Sequence, residues 1–398
     1  MKIKVGVIFG GRSVEHEVSI ISAIQTINAI DNNKYDVIPL YISKDGTWYT
    51  SDRLNGIENF KDIDGLLSKC KKILLSNNAG DNFLYSLPEK KYALNIFEKQ
   101  ILNTIDVAFP VLHGTHGEDG SLQGFLELLN IPYVGCDILS SAIGMDKIMT
   151  QALLDKHKLP VVKSRWFYSK NWIKENEMLK KEISDELKFP VIVKPSNIGS
   201  SIGVKIATNQ DELENAVEIA TKFSKKILVE KAITNLKEIN CSVLGDYENV
   251  EVSVCEEPIR SSNFLSFSDK YISGENSKGM SGAKRKLPAD IPEKMSSEIK
   301  ELAKQAFLML DCCGVARIDF FIDNDKDKNK IFINEINTIP GSLSFYLWEA
   351  TGKSFTELTS QLIQLALKKN REKNNLKFTY ESNILAGFNG TKGMKVMK

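Results

Sequence analysis

Residues 331–348 read IFINEINTIPGSLSFYLW, and the fold turns on how their first half is read. Ile331 to Asn337 has the branched, aromatic-bearing content of a strand, and the run breaks at Pro340-Gly341. Alternate residues of a strand share a face, so Glu335 and Asn337 point the same way. Just upstream, ARIDFFID (316–323) sets Arg317 and Asp319 at the same spacing. DNDKDKNK, between the two runs, reads as a hairpin connection. The paired strands then present three oxygen-bearing side chains and a guanidinium on one face, among strongly apolar neighbours. Hard oxygen donors in an open set, completed by phosphate oxygens, suit Mg²⁺. A solvated polar face is the alternative reading.

Working outward, KVGVIFGG (4–11), VEHEVSIISAIQTINAI (14–30) and YDVIPLYIS (35–43) form a βαβ opening. That pattern predicts a parallel sheet with ligand chemistry at strand C-termini. Residues 52–99 are polar and poorly periodic, an excursion from this unit. TIDVAFPVLHG (104–114) is a further strand, ending in the charged glycine loop HGTHGEDGS (113–121), after which SLQGFLELLN starts a helix. A second unit opens near Cys136 with the helix SSAIGMDKIMTQALLDKHK (140–158). FPVIVKPS (189–196) and SIGVKIA (201–207) bracket a serine-glycine turn and read as a β-hairpin. ILVEKAI (227–233) opens a third region, interrupted by YISGENSKGMSGAKRK (271–286), a loop expected to be mobile when no ligand is present. The charge run after Lys368 and the glycine- and lysine-rich last residues are expected to form an exposed tail.

A net charge of +1 over 398 residues argues against a nucleic-acid protein built on bulk electrostatics. No apolar run approaches the ~20 residues that span a bilayer. The opening MKIKVGVIFGG is expected to be a first strand, since its apolar stretch runs straight into glycines and charge. Six cysteines without a CxxC pair are expected as free thiols in a reducing cytoplasm, and four histidines without HxxxH spacing make a zinc site improbable.

Three further stretches carry candidate chemistry. In GGRSVEHEVS (10–19) a strand joins a helix, so its free N–H groups could hold an anion. Glu17 there is either a counter-ion for a substrate ammonium or a carboxylate complementing the helix dipole. His113 follows its strand directly and is expected to face the crevice, with a structural hydrogen bond as the alternative. Lys194 ends a buried-looking strand, where a charge is costly unless paired, and GSSIG (199–203) supplies a flexible phosphate cradle. A hairpin with a snorkelling lysine would explain the same residues.

Together, GGRSVEHEVS, HGTHGEDGSLQG, GMDK, VKPSNIGSSIGV, VEKAI, DKY, ARID and NEINTIPG stand in an order that resembles the D-alanine–D-alanine ligase family of the ATP-grasp superfamily. The resemblance runs from Met1 to about Leu367, the middle excursion and the tail lying outside it. It implies an α/β fold, α+β in part: a Rossmann-like substrate-binding domain (1–135) and two ATP-grasp lobes (136–229 and 230–371) sandwiching ATP, then an exposed tail (372–398). It implies that Lys147 and Lys194 grip ATP phosphates and that Lys270 contacts the γ-phosphate. Glu230 and Ile233 match the adenine-binding strand and hinge, and Glu238 the ribose-binding carboxylate. Asp319, Glu335 and Asn337 match the ligands of two Mg²⁺ ions, for which Mn²⁺ can substitute. Glu17 matches the carboxylate that holds the first substrate's ammonium, and Ser200 and Tyr271 the pair that closes over the site. Arg317 and the Gly341 N–H match the groups that stabilise the tetrahedral oxyanion. A cytoplasmic homodimer acting on small molecules, without nucleic acid or membrane, is the implied setting.

The chain departs from the family after the Pro-Gly turn. Many members end the next stretch in Ser-His-Ser, whose last serine helps hold the acceptor carboxylate; here Phe345 and Tyr346 replace His-Ser. These two aromatics are expected to line an atypical acceptor pocket, or alternatively to begin a core-packed helix. The lid loop is also longer than usual. A related ligase with D-serine, D-lactate or another amine as acceptor stays open, as does a nucleotide-binding regulator without catalysis, which would have no use for an oxyanion arginine.

Overall fold

The computed structural model describes residues 2–87, 100–259, 285–324, 329–380 and 382–383. β1 (Ile3–Gly10), α1 (His16–Ala29) and β2 (Tyr35–Ile42) build the expected βαβ opening. β3 (Trp48–Thr50), α2 (Ile63–Leu67), β4 (Lys71–Leu75), β5 (Phe83–Ser86) and β6 (Ile101–Thr104) follow, then β7 (Val107–Pro110) and α3 (Ser121–Leu128). The strands lie in the order β6-β5-β4-β3-β2-β1-β7. β1 is parallel to β2 and β7, whereas β2 through β6 pair antiparallel. The polar excursion thus contributes β4 and β5 to the antiparallel half of the first sheet, flanked by β3 and β6. β1 is buried from Val5 onward, as a strand covered on both faces must be.

The second sheet follows α4 (Ile138–Met145) and α5 (Lys147–Lys156). Asp137 and Ser140 close a capping box on α4, and the Asp146 side chain caps α5 through the amides of Ile148 and Met149. β8 (Ser164–Tyr168), α6 (Ser169–Leu187), β9 (Val191–Pro195), β10 (Lys205–Ala207), α7 (Gln210–Thr221) and β11 (Lys226–Lys231) complete this unit, with strand order β10-β9-β11-β8. β9 and β10 pair antiparallel across the serine-glycine turn, as the sequence predicts.

The third sheet, β14-β13-β12-β15-β16, is formed by β12 (Leu236–Gly245), β13 (Val250–Pro258), β14 (Arg285–Lys286), β15 (Gly314–Asp323) and β16 (Lys330–Asn337). It is accompanied by α8 (Glu293–Met309), α9 (Phe345–Glu349) and α10 (Phe355–Asn374). α10 leaves its own sheet to pack Leu358, Leu362 and Ile363 into the core of the first domain, beside Val5 and Val107. Its last turns hold part of the charge run: the Lys369 ammonium lies 4.6 Å from the Tyr133 ring centroid and Lys373 pairs with Glu127. Those charges sit on a docked helix that extends to Asn374.

Candidate active site

The β15–β16 pairing sets Arg317 opposite Asn337 and Asp319 opposite Glu335, with a register shift after Asp319. All four side chains share one face, as the two-residue spacing predicts. Arg317 is buried and donates from Nε and Nη2 to both oxygens of Asp319, at 2.6 and 2.7 Å. Asn337 donates to the same carboxylate at 3.2 Å. Burial disfavours the Arg317 charge, but Asp319 outweighs it and holds the guanidinium protonated.

Two lysines approach from the second unit. Lys147, at the start of α5, has its ammonium 3.3 Å from Glu335 and donates to the Ile198 carbonyl at 3.1 Å. Lys194, at the end of β9, is 6% exposed and lies 2.5 Å from Glu230 and 3.1 Å from Asn334 Oδ1. The buried charge is therefore paired rather than snorkelling. Glu230 also accepts from Gln151. Ile233 and Glu238, both half-buried, stand on either side of the start of β12.

The first domain supplies the remaining wall. Glu15, 6% exposed, accepts from the Ser200 hydroxyl of the serine-glycine turn. A Cβ on Gly199 would come within 3.2 Å of the same carboxylate. Glu17 does not reach this cleft. It lies on the opposite side of the α1 start, in an ion pair with Lys44 in which both side chains are 62% exposed. Of the two carboxylates in this stretch, the one that faces the cleft is Glu15 and not the expected Glu17: His16 opens the helix, so Glu15 precedes it and points to the serine-glycine turn, while Glu17 is already carried round to solvent. His113 does face the cleft and is also tied down, bonded to the Ile339 carbonyl at 3.0 Å and Ser22 Oγ at 2.9 Å. Burial lowers its pKa, Arg317 adds to that, and Glu15 and the Ile339 carbonyl oppose. Glu118, not singled out from the sequence, accepts from the amides of Gly114 and Ile339 at 2.8 and 3.1 Å. The density of charge in HGTHGEDGS was its only sequence signal.

One cleft is thus lined by Glu15, His113, Glu118, Lys147, Ser200, Arg317, Glu335, Asn337 and Gly341. Phe345 and Tyr346 are not among its lining residues. Phe345 stacks on Phe355 with ring centroids 4.5 Å apart. The Tyr346 hydroxyl donates to the buried Glu256 at 2.8 Å, and the Arg285 guanidinium lies 3.8 Å from its ring centroid. The packing follows the alternative expectation, a helix start packed on the core: α9 sets the half-buried Phe345 against Phe355 and buries Tyr346 beside its carboxylate partner. Lys270 and Tyr271 lie outside the described residues, as does most of the expected lid.

Asp319, Glu335 and Asn337 form a hard-oxygen set on one face, which fits Mg²⁺ completed by phosphate oxygens. Among the described residues, no three His, Cys, Asp or Glu side chains converge on one metal position.

Two family models match the chain: "D-ala D-ala ligase N-terminus" over residues 4–136 and "D-ala D-ala ligase C-terminus" over residues 153–364. The chain belongs to the D-alanine–D-alanine ligase family. Family relatives include the D-alanine–D-alanine ligase of Thermosipho melanesiensis, 42% identical, the match covering 93% of this chain and 95% of that protein. The ligase of Caldicellulosiruptor bescii is 41% identical, with 96% and 99% covered. Among solved family structures, the D-alanine–D-alanine ligase from Coxiella burnetii superposes with a TM-score of 0.75 at 30% identity, covering 94% of this chain and 97% of that one. The VanG D-Ala:D-Ser ligase from Enterococcus faecalis superposes with a TM-score of 0.76 at 33% identity, covering 92% and 100%.

Proposed function

We infer that the protein is an ATP-dependent ligase joining two D-alanines for peptidoglycan precursor synthesis in the cytoplasm. The observation that carries this reading is the convergence of Glu15, Lys147, Arg317, Glu335 and Gly341, drawn from all three sheets' units, on one cleft. A carboxylate is a poor electrophile, so ATP first converts the first D-alanine's carboxylate to an acyl phosphate. The amine of the second D-alanine attacks the carbonyl, and phosphate leaves. Charge develops as anion in both steps, which calls for lysines, an arginine and Mg²⁺ rather than a protein nucleophile.

Each residue's task follows from its place. Glu15 holds the ammonium of the first D-alanine, and Ser200, bonded to it, closes the turn over the substrate. Lys147 and Lys194 hold the phosphates, and the Arg317 guanidinium and Gly341 N–H meet the tetrahedral oxyanion. Glu230, Ile233 and Glu238 surround the adenosine. Asp319, Glu335 and Asn337 are the residues that would hold two Mg²⁺ ions, or Mn²⁺, and the bound ions would neutralise phosphate charge. The family resemblance assigns Lys270 and Tyr271, which lie outside the described residues, to the same closure. A homodimer is supported by the adjoining helices α3 and α4, which expose Phe125, Leu128, Ile138 and Leu139.

A second reading, D-serine as acceptor, draws support from the superposition on the VanG D-Ala:D-Ser ligase, with a TM-score of 0.76 at 33% identity. Phosphate release measured with D-alanine, D-serine and D-lactate, singly and in pairs, separates the readings. D-alanine alone sustaining full turnover supports the first, and turnover only with a mixed pair supports the second. No release with any of them would remove both.

A further inference from the structure

We propose that Ser22 and His113 form a clasp that sets the Gly341 amide, making Ser22 a positioning residue for the ligation step. The proposal rests on the ligase reading above. It begins with an anomaly in the backbone: after Pro340-Gly341, three successive residues, Ser342, Leu343 and Ser344, adopt left-handed φ values of +51°, +54° and +51°. Residues with side chains avoid that region, and a run of three persists only where the surroundings over-determine it.

The surroundings come from the other end of the chain. His113 Nδ1 lies 3.0 Å from the Ile339 carbonyl, which can only accept, so Nδ1 carries the proton. Nε2 of the neutral ring then accepts, and its partner at 2.9 Å is Ser22 Oγ, whose proton therefore points to the ring. That leaves the Ser22 oxygen free to accept from the Ser342 N–H at 3.1 Å. The direction of every bond in this chain is thus settled. Ile339 and Ser342 are the residues on either side of Pro340-Gly341, so one Ser–His pair holds both ends of the turn. Two flanking bonds reinforce it: the Ile339 N–H to Glu118 at 3.1 Å and the Ser342 hydroxyl to Gln25 at 2.6 Å. Ser22 is 1% exposed, His113 3% and Ser342 1%, so water offers no replacement partner.

The helix itself gives Ser22 no reason to be there. Alanine has the better helix propensity, and the neighbouring Ala23 is accommodated fully buried. What serine adds is a hydroxyl that reaches across the domain boundary. The turn it fixes carries the N–H expected to face the oxyanion, and a donor misplaced by a fraction of an ångström loses its worth in the transition state before it affects nucleotide binding.

The test compares wild type, Ser22→Ala, Ser22→Cys, His113→Gln and the Ser22→Ala/His113→Gln double variant, with ATP and D-alanine. Ser22→Ala should lower kcat on the order of ten- to hundredfold while KM for ATP stays within about twofold. Binding of a phosphinate analogue of the tetrahedral dipeptide adduct should weaken in parallel with the loss of activity, and binding of ADP should not. Ser22→Cys keeps the volume with a weaker donor and acceptor, so it remains foldable where alanine leaves a void, and should fall in the same direction. The double variant should be about as impaired as the worse single one, because the pair acts as a unit. Activity within about threefold of wild type in a folded Ser22 variant, additive losses in the double variant, or an equal loss of ADP binding would each overturn the clasp. A wild type that forms no ADP with D-alanine would instead overturn the ligase reading on which the clasp depends.

Discussion

Which of two neighbouring carboxylates faces the cleft is decided by its place at a helix start. Glu15 and Glu17 stand two apart in GGRSVEHEVS, and local spacing treats them alike. Only the fold separates them: Glu15 is buried against Ser200, whereas Glu17 pairs with Lys44 in solvent. Glu15→Gln should therefore raise KM for D-alanine and cut kcat/KM by roughly a hundredfold, as expected when a charge-assisted hydrogen bond is removed from a buried site. Glu17→Gln should stay within about threefold of wild type. Steady-state kinetics of the two variants checks this, and the reverse ranking would reinstate Glu17. Glu335→Ala should lower kcat on the order of a thousandfold without unfolding the protein, since the transition state loses several kcal/mol of charge stabilisation. Near-normal turnover of that variant would remove the metal reading. Glu118 offers a test by pH. Burial and Glu15 push its carboxyl up to about 8, against the pull of the Gly114 and Ile339 amides and of Arg317. Its ordinary value is 4.5, so between the two the folded protein binds the extra proton. The stabilisation this gives is complete below about 4.5 and lost as pH rises through about 8. In urea unfolding, wild type should lose stability relative to Glu118→Gln between about pH 5 and pH 9, and a pH-independent difference would contradict the shift.

At the scale of elements, the β15–β16 pair was legible because its information is local. Period-two alternation places Arg317, Asp319, Glu335 and Asn337 on one face whatever the rest of the chain does, and the register bears this out. The stretch after Gly341 was not legible in that way. Its aromatics are claimed by partners outside the stretch: Tyr346 by Glu256 and Arg285, Phe345 by Phe355 in the following helix, and Trp348 by Ser242 through a 3.0 Å bond from Nε1. No spacing rule within SLSFYLW announces those partners. The structure makes a definite prediction for this element. Tyr346→Phe removes one donor from a buried carboxylate and should cost about 1–3 kcal/mol in denaturant unfolding. Acceptor preference among D-alanine, D-serine and D-lactate should stay in the same order. A changed order with unchanged stability would return Tyr346 to the acceptor pocket.

At the scale of the whole molecule, the cleft exists only where three sheets' units meet, and α10 fastens the third unit to the first. Its parallel strands and helical opening could be read from periodicity. The antiparallel extension could not, because β3 to β6 are short strands of three to five residues with little alternation to mark them. The cleft's polar lining could be read residue type by residue type, but the pairings across it, Glu15 to Ser200 and His113 to Ser22, are products of assembly. The central claim is that this assembled cleft joins two D-alanines with the consumption of one ATP. The most direct measurement gives the protein ATP, Mg²⁺ and an equimolar mixture of D-alanine and D-serine, and identifies the products by mass spectrometry alongside ADP. The account predicts D-alanyl-D-alanine as the main dipeptide, formed one for one with ADP. ADP without any dipeptide, or D-alanyl-D-serine as the main product, would contradict it.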